Sequence, residues 1–165
     1  LSDKPEMQFD LLEFRHALEG MAAFYSALRG QPEDYQHLQS ALAGLDEIEP
    51  TEDKEKEANV LGEFYLIMAK ASHNMVLQHV MRSMKTMLID NIQRNLQMLA
   101  VNPEACSEIA QQRVSIVAAI VQQNPQKARQ ASNAHLAFIE ETLLNINQRD
   151  SRIQRVLRRI ETNPS

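Results

Sequence analysis

The sequence predicts an all-α fold, an antiparallel bundle of six to seven helices. Three observations carry this. Apolar residues recur at three- and four-residue spacing along most of the chain, the period of a helix with one buried face. Glycine is scarce, 4 in 165 residues, and Leu, Ala, Gln and Met outweigh β-branched runs, so helix propensity agrees with the periodicity. Short polar punctuation at Gly30 and Pro32, Ser72-His73-Asn74, Asn102-Pro103 and Asn124-Pro125 supplies stop and cap signals between the periodic segments.

Each element follows in order. A first helix runs roughly from Gln8 to Arg29, with Leu11, Leu18, Ala22 and Tyr25 inward. A second, about Pro32 to Leu45, carries Tyr35, Leu38, Leu42 and Leu45. The stretch Asp46 to Glu57 holds seven carboxylates against Lys54 and Lys56, with Pro50 inside it, and reads as a solvated loop. Periodicity resumes near Ala58 with Leu61, Phe64, Tyr65 and Met68. After the break at residues 72–74, a long helix is expected to Leu99, striped by Leu77, Val80, Met81, Met84, Met87, Leu88 and Ile92. The methionines Met75, Met81, Met84, Met87 and Met98 read as adaptable core. Next come Pro103 to Gln123, with Ile109, Ile116, Val117, Ile120 and Val121 inward, and Pro125 to Asn147, with Ala128, Ala131, Phe138 and Thr142 on one face. Beyond it, Arg149, Arg152, Arg155, Arg158 and Arg159 surround Ile153, Val156 and Leu157, the pattern of a peripheral helix docked outside any ligand site.

Composition bounds the function. The chain fits a single domain over residues 1–165. Its 22 acidic against 17 basic residues leave a charge of −5, which disfavours nucleic-acid binding by this chain alone. One cysteine excludes an intrachain disulfide. No apolar run is long enough for a membrane span, and no leader pattern is visible. The start at Leu1 leads us to expect a missing upstream segment.

No phosphate-cradling glycine loop, Cys-x-x-Cys or His-Glu-x-x-His is present. Glu13 and His16 form one Glu-x-x-His pair, where a di-metal bundle needs two. Cys106 reads as an inert thiol, and no recognisable nucleophile–base pair suggests an enzyme. The informative residues are polar ones on apolar faces. Arg15 lies among Leu11, Leu18 and Ala22, and Arg113 among Ile109, Ile116, Val117 and Ile120. His135 lies among Ala128, Ala131, Phe138 and Thr142, and Tyr65 lines up with Leu61, Met68 and Ser72. A buried cation is costly unless an anion or carbonyls satisfy it. Two readings stay open: internal carboxylates such as Glu13 or Glu19 pair with these groups in a purely structural dimerisation bundle, or the bundle holds an anionic ligand.

The segment Asp10 to Glu19, the break Ala69-Lys70-Ala71-Ser72-His73-Asn74 and the stretch Ala134 to Glu141 resemble the FCD domain, the effector-binding half of FadR-subfamily GntR transcription regulators. The resemblance runs from about Phe9 to Glu161. Within the family, Asp10 to Gly20, His135 to Leu144 and the ending Leu157-Arg158-Arg159-Ile160-Glu161 resemble the pyruvate dehydrogenase complex repressor subgroup. The resemblance implies a cytoplasmic repressor's sensor domain that binds a small carboxylate, pyruvate first and lactate or glycolate after it. It implies a homodimer, and DNA contact only through an N-terminal winged helix-turn-helix absent from this chain. Many members bind a divalent metal at positions that align with Leu61, Tyr65, Arg113 and His135. Only the last is a metal ligand here, so no metal and no cofactor is expected, and Arg113 places a fixed charge where the cation would lie. From their place on apolar faces, the expected ligand-binding residues are Arg15 for the carboxylate, whose two parallel donors match its oxygens, Arg113 for a second charge, and Tyr65 and His135 as donors to a keto oxygen.

Overall fold

Helix α1 (Pro5–Arg29) packs along the first half of α7 (Pro125–Thr162), and this pair forms the long axis of the bundle. Around it lie α2 (Pro32–Asp46), α3 (Lys54–Ala71), α4 (Met75–Ser83), α5 (Lys85–Leu99) and α6 (Pro103–Val121). The computed structural model describes residues 5–48 and 53–162, and among these there are seven helices and no strand. No helix among the described residues is long and apolar enough to cross a membrane. Leu1, Pro50, Glu49 and Glu52 lie outside the described residues.

The punctuation acts as its chemistry requires. Asn74 and Asn102 cap α4 and α6 by accepting from the Leu77 and Ala105 amides at 3.0 and 3.1 Å. Pro32 and Pro103 open their helices where the lost N–H has no partner anyway. Gly30 is needed because a side chain there would collide with the Tyr35 ring and the Ser26 carbonyl. The Tyr35 hydroxyl donates to that same carbonyl at 3.2 Å, which fixes the α1–α2 corner. His73 and Gln123 close α3 and α6 in the left-handed region, at φ 51° and 58°.

Four expectations are corrected. α3 begins at Lys54 rather than near Ala58, because Asp53 accepts from the Glu55 amide and caps it inside the acidic run. The long helix to Leu99 is interrupted at Met84 (φ −93°, ψ 3°), one residue after Ser83 turns its hydroxyl back onto the His79 carbonyl at 2.8 Å. Met75 and Met87 are exposed, while Met81 is buried, so the methionines are core only in part. The Arg-rich stretch is a continuation of the 38-residue α7 and is not docked: Asn147 to Glu161 are all exposed.

The buried side chains form two apolar clusters. The larger includes Ala22, Phe64, Met68, Ile92, Ile116, Ile120 and Ala128. The smaller holds Leu12, Leu99, Ile109, Leu136, Ile139 and Leu143. On each helix that contributes to both, polar residues sit at the crossover: Arg15 and Glu19 on α1, Asn95 on α5, Arg113 on α6, and Ser132 and His135 on α7, all buried.

Gln123 sits just past α6 with its amide bonded to the Ile120 carbonyl at 2.9 Å. Glycine adopts that conformation without a Cβ penalty, so Gln123→Gly should stabilise the fold by about 0.5–1 kcal/mol despite a more flexible unfolded chain. Thermal unfolding checks this; an unchanged or lower melting temperature counts against it.

Candidate functional site

The polar crossover is built on α1. Helical geometry puts Arg15 and Glu19 one turn apart on one face. The Arg15 Nε donates to Glu19 Oε2 at 2.7 Å and Nη2 to Oε1 at 3.2 Å. Nη1 donates to Asn91 Oδ1 on α5 at 3.1 Å. Asn91 in turn donates to the Gln8 carbonyl at 3.2 Å and to Gln8 Oε1 at 2.8 Å, and Asn95 donates to Asn91 Oδ1 at 3.3 Å. Burial works against the Arg15 charge, but Glu19 more than offsets it and the guanidinium is held above its ordinary pKa. Of the two carboxylates open to this role, Glu19 takes it and Glu13 is exposed.

Tyr65 enters from α3, its ring 5.2 Å from the Arg15 guanidinium carbon. Burial, then Glu19, pushes its phenol up to about 12 against the pull of Arg15 and Arg113, so it stays a donor at neutral pH. His135 enters from α7. Burial, then Arg113 and Arg15, pushes its imidazole down to about 3, and it is neutral. Its Nδ1 lies 2.8 Å from Gln112 Oε1. The Gln112 amide nitrogen donates to Glu108 at 3.4 Å, so its oxygen is the atom turned to His135. That assigns the ring proton to Nδ1 and leaves Nε2 as a bare acceptor. Nε2 is buried with no hydrogen-bond partner. Arg113, from α6, is 8% exposed and has no hydrogen bond or ion pair among the described residues.

All four expected residues therefore converge in one electrostatic environment, and they divide unequally. Arg15 already holds a carboxylate in its fork, that of Glu19. His135 Nε2 is the buried atom left without a partner, and Arg113, whose guanidinium keeps some exposure, has no counter-ion among the described residues. Sequence reasoning missed Asn91, Asn95 and Gln112. The signal for the first two was present, since both interrupt the α5 stripe between Leu88 and Leu99 at a four-residue spacing. Gln112 carried none, being one of many glutamines.

The residues do not fit a divalent metal. Leu61 offers no donor atom, the Tyr65 phenol holds its proton, Arg113 is a cation, and His135 has one free nitrogen. Among the described residues no group of three His, Cys, Asp or Glu side chains is placed to hold an ion. Cys106 is half-buried, its thiol donates to the Leu99 carbonyl at 3.2 Å, and burial raises its pKa.

His135 makes stability pH-dependent. Its pKa falls from an ordinary 6.5 to about 3 on folding, so the unfolded chain binds a proton that the native one refuses. Stability is complete above 6.5 and is lost as pH falls toward 3. The His135 contribution to this loss between pH 7 and pH 5 should be about 2 kcal/mol. Urea unfolding at both pH values, wild type against His135→Gln, isolates it; equal pH dependence in the two proteins would overturn the assignment.

Comparison with known proteins bears on the family. Residues 10–138 match the FCD domain. The chain is 30% identical over 158 residues to an L-lactate dehydrogenase operon regulatory protein of Escherichia coli (strain K12), covering 96% of this chain and 60% of that one. It is 27% identical over 152 residues to the Glc operon transcriptional activator of the same strain, covering 88% and 58%. The structure of Streptococcus agalactiae GntR superposes with a TM-score of 0.68 at 22% identity, over 86% of this chain and 62% of that one, a likeness of fold. The chain thus spans about 60% of the length of the curated relatives it matches. These relatives are named as regulators and not as enzymes. With the helix order and the match over most of its length in agreement, the chain belongs to the FCD domain family.

Proposed function

We propose that this chain is the effector-sensing domain of a GntR-family transcription regulator and that it binds a small carboxylate at the polar crossover. One observation carries the reading: Arg113 is buried without a counter-ion among the described residues. A charge held mostly away from water gains most from a counter-ion, and a ligand carboxylate is the group that would supply one. In this reading Arg113 takes the carboxylate that the sequence assigned to Arg15. Arg15 and Glu19 hold Tyr65 and Asn91 in place, and the Tyr65 hydroxyl donates to the ligand.

The ligand's second group is chosen by His135. A bare Nε2 accepts from a hydroxyl and opposes a carbonyl lone pair, so a 2-hydroxy acid such as lactate or glycolate complements it better than pyruvate. The name of one relative, which mentions an L-lactate dehydrogenase operon, supports this order. Closeness to the pyruvate dehydrogenase complex repressor subgroup, and pyruvate as effector, form the rival within the same class. The internal satisfaction of Arg15 favours the alternative of a purely structural bundle, and Arg113 is what that alternative leaves unexplained. In the full regulator the domain would work in the cytoplasm as one half of a homodimer, with DNA held by a winged helix-turn-helix outside this chain. The dimer is supported by Phe14, Met21 and Leu28, exposed on α1 at seven-residue intervals, the spacing of a helix–helix seam.

Titration calorimetry should show L-lactate binding at least about tenfold more tightly than pyruvate, the ratio of one satisfied against one opposed buried polar group. Arg113→Met should abolish binding of both and leave the ligand-free domain as stable or more stable. Pyruvate binding as tightly as lactate would overturn the His135 assignment, and carboxylate binding unaffected in Arg113→Met would move the site. Sedimentation equilibrium at micromolar concentration should show a dimer; a single 18.8 kDa species would count against the α1 seam.

A further inference from the structure

We propose that the effector's carbon chain extends from Arg113 into a neighbouring cavity with a largely apolar wall, so that the domain takes 2-hydroxy acids longer than three carbons. The inference rests on the carboxylate reading above. The cavity, about 200 Å³, lies where the end of α2, the start of α3, the second half of α5 and α6 meet. Leu45, Ile48, Leu96, Leu99 and Ile109 supply apolar wall, and Arg113 lies in the same wall. Lys54 and Glu57 also border it, but they bond each other at 3.4 Å. Cys106 completes the lining, and its thiol, raised in pKa chiefly by burial, also feels Lys54, Glu57 and Arg113. Arg113 therefore has no counter-ion among the described residues and lies beside a largely apolar space.

That combination is what an alkyl carboxylate needs. Most of a small-molecule site is apolar contact, with few polar groups that fix orientation. A water needs two to four polar partners to be held well, and the side chains of Leu45, Ile48, Leu96, Leu99 and Ile109 offer none. The volume sets the size. At about 30 Å³ for a water-sized group, the cavity has room for a chain of several carbons. A three-carbon acid, with one methyl beyond its hydroxyl carbon, leaves most of it unfilled. A carboxylate on Arg113 with its chain among Leu96, Leu99 and Ile109 fills both features at once.

Titration calorimetry on this chain with L-lactate, 2-hydroxybutanoate, 2-hydroxypentanoate and 2-hydroxyhexanoate tests it. Each methylene moved from water into apolar contact should tighten binding about fourfold, so 2-hydroxypentanoate should exceed lactate by about tenfold or more. Cys106→Leu, which adds carbon to the cavity, should cut the 2-hydroxypentanoate-to-lactate affinity ratio at least about threefold. Leu45→Phe serves the same purpose should Cys106→Leu fail to fold. Equal affinity along the series, or affinity falling with length, would overturn the cavity while leaving the carboxylate reading intact. Absence of binding by every acid would overturn the carboxylate reading, and the cavity assignment with it.

Discussion

The structure depends on how a guanidinium is kept inside an apolar bundle. Arg15 is buried at the centre of α1, and only a carboxylate on the adjacent turn makes that tolerable. Glu19 occupies one side of its fork, so the third bond reaches across to Asn91 on α5. Asn91 passes the constraint on to the carbonyl of Gln8 in the opening turns of α1. One ion pair thus fixes the register of α1 against α5 and divides the core into two apolar clusters.

The second arginine gives the division its meaning. Arg113 faces the same polar layer and lies next to an apolar cavity, with no partner among the described residues. A bundle selected for stability alone would place a leucine there, as the spacing of Ile109 and Ile116 suggests. Its charge also helps to hold His135 neutral, and the Gln112–Glu108 pair turns the bare nitrogen of that ring into the protein interior. This polar layer leaves two groups without a partner among the described residues: the Arg113 guanidinium, which keeps some exposure, and the buried His135 Nε2.

The long α7 shows a different limit of local reasoning. Its first half is amphipathic and buried against α1 and α6, and its second half keeps helical spacing while touching no other element closely enough to be covered. Ile153, Val156, Leu157 and Ile160 have the pattern of a docked face and are exposed. Periodicity reports that a helix has two faces, and not that anything packs on the apolar one.

The sequence by itself determined the helices and their order. Asn74, Asn102, Pro32 and Pro103 act on their own backbones, so their effect is readable without tertiary context. It also determined that Arg15, Tyr65, Arg113 and His135 break apolar faces, because a helical face is a local property. Which of them is satisfied was not local. Glu13 and Glu19 are both within a turn of Arg15, and only the packing of α5 and α3 on α1 shows that Glu19 points inward. Asn91 lies 76 residues from Arg15 along the chain, and Gln112 acquires its role from a histidine on the next helix. Tertiary structure decided the pairing, and so decided which arginine has a carboxylate in its fork and which has none among the described residues.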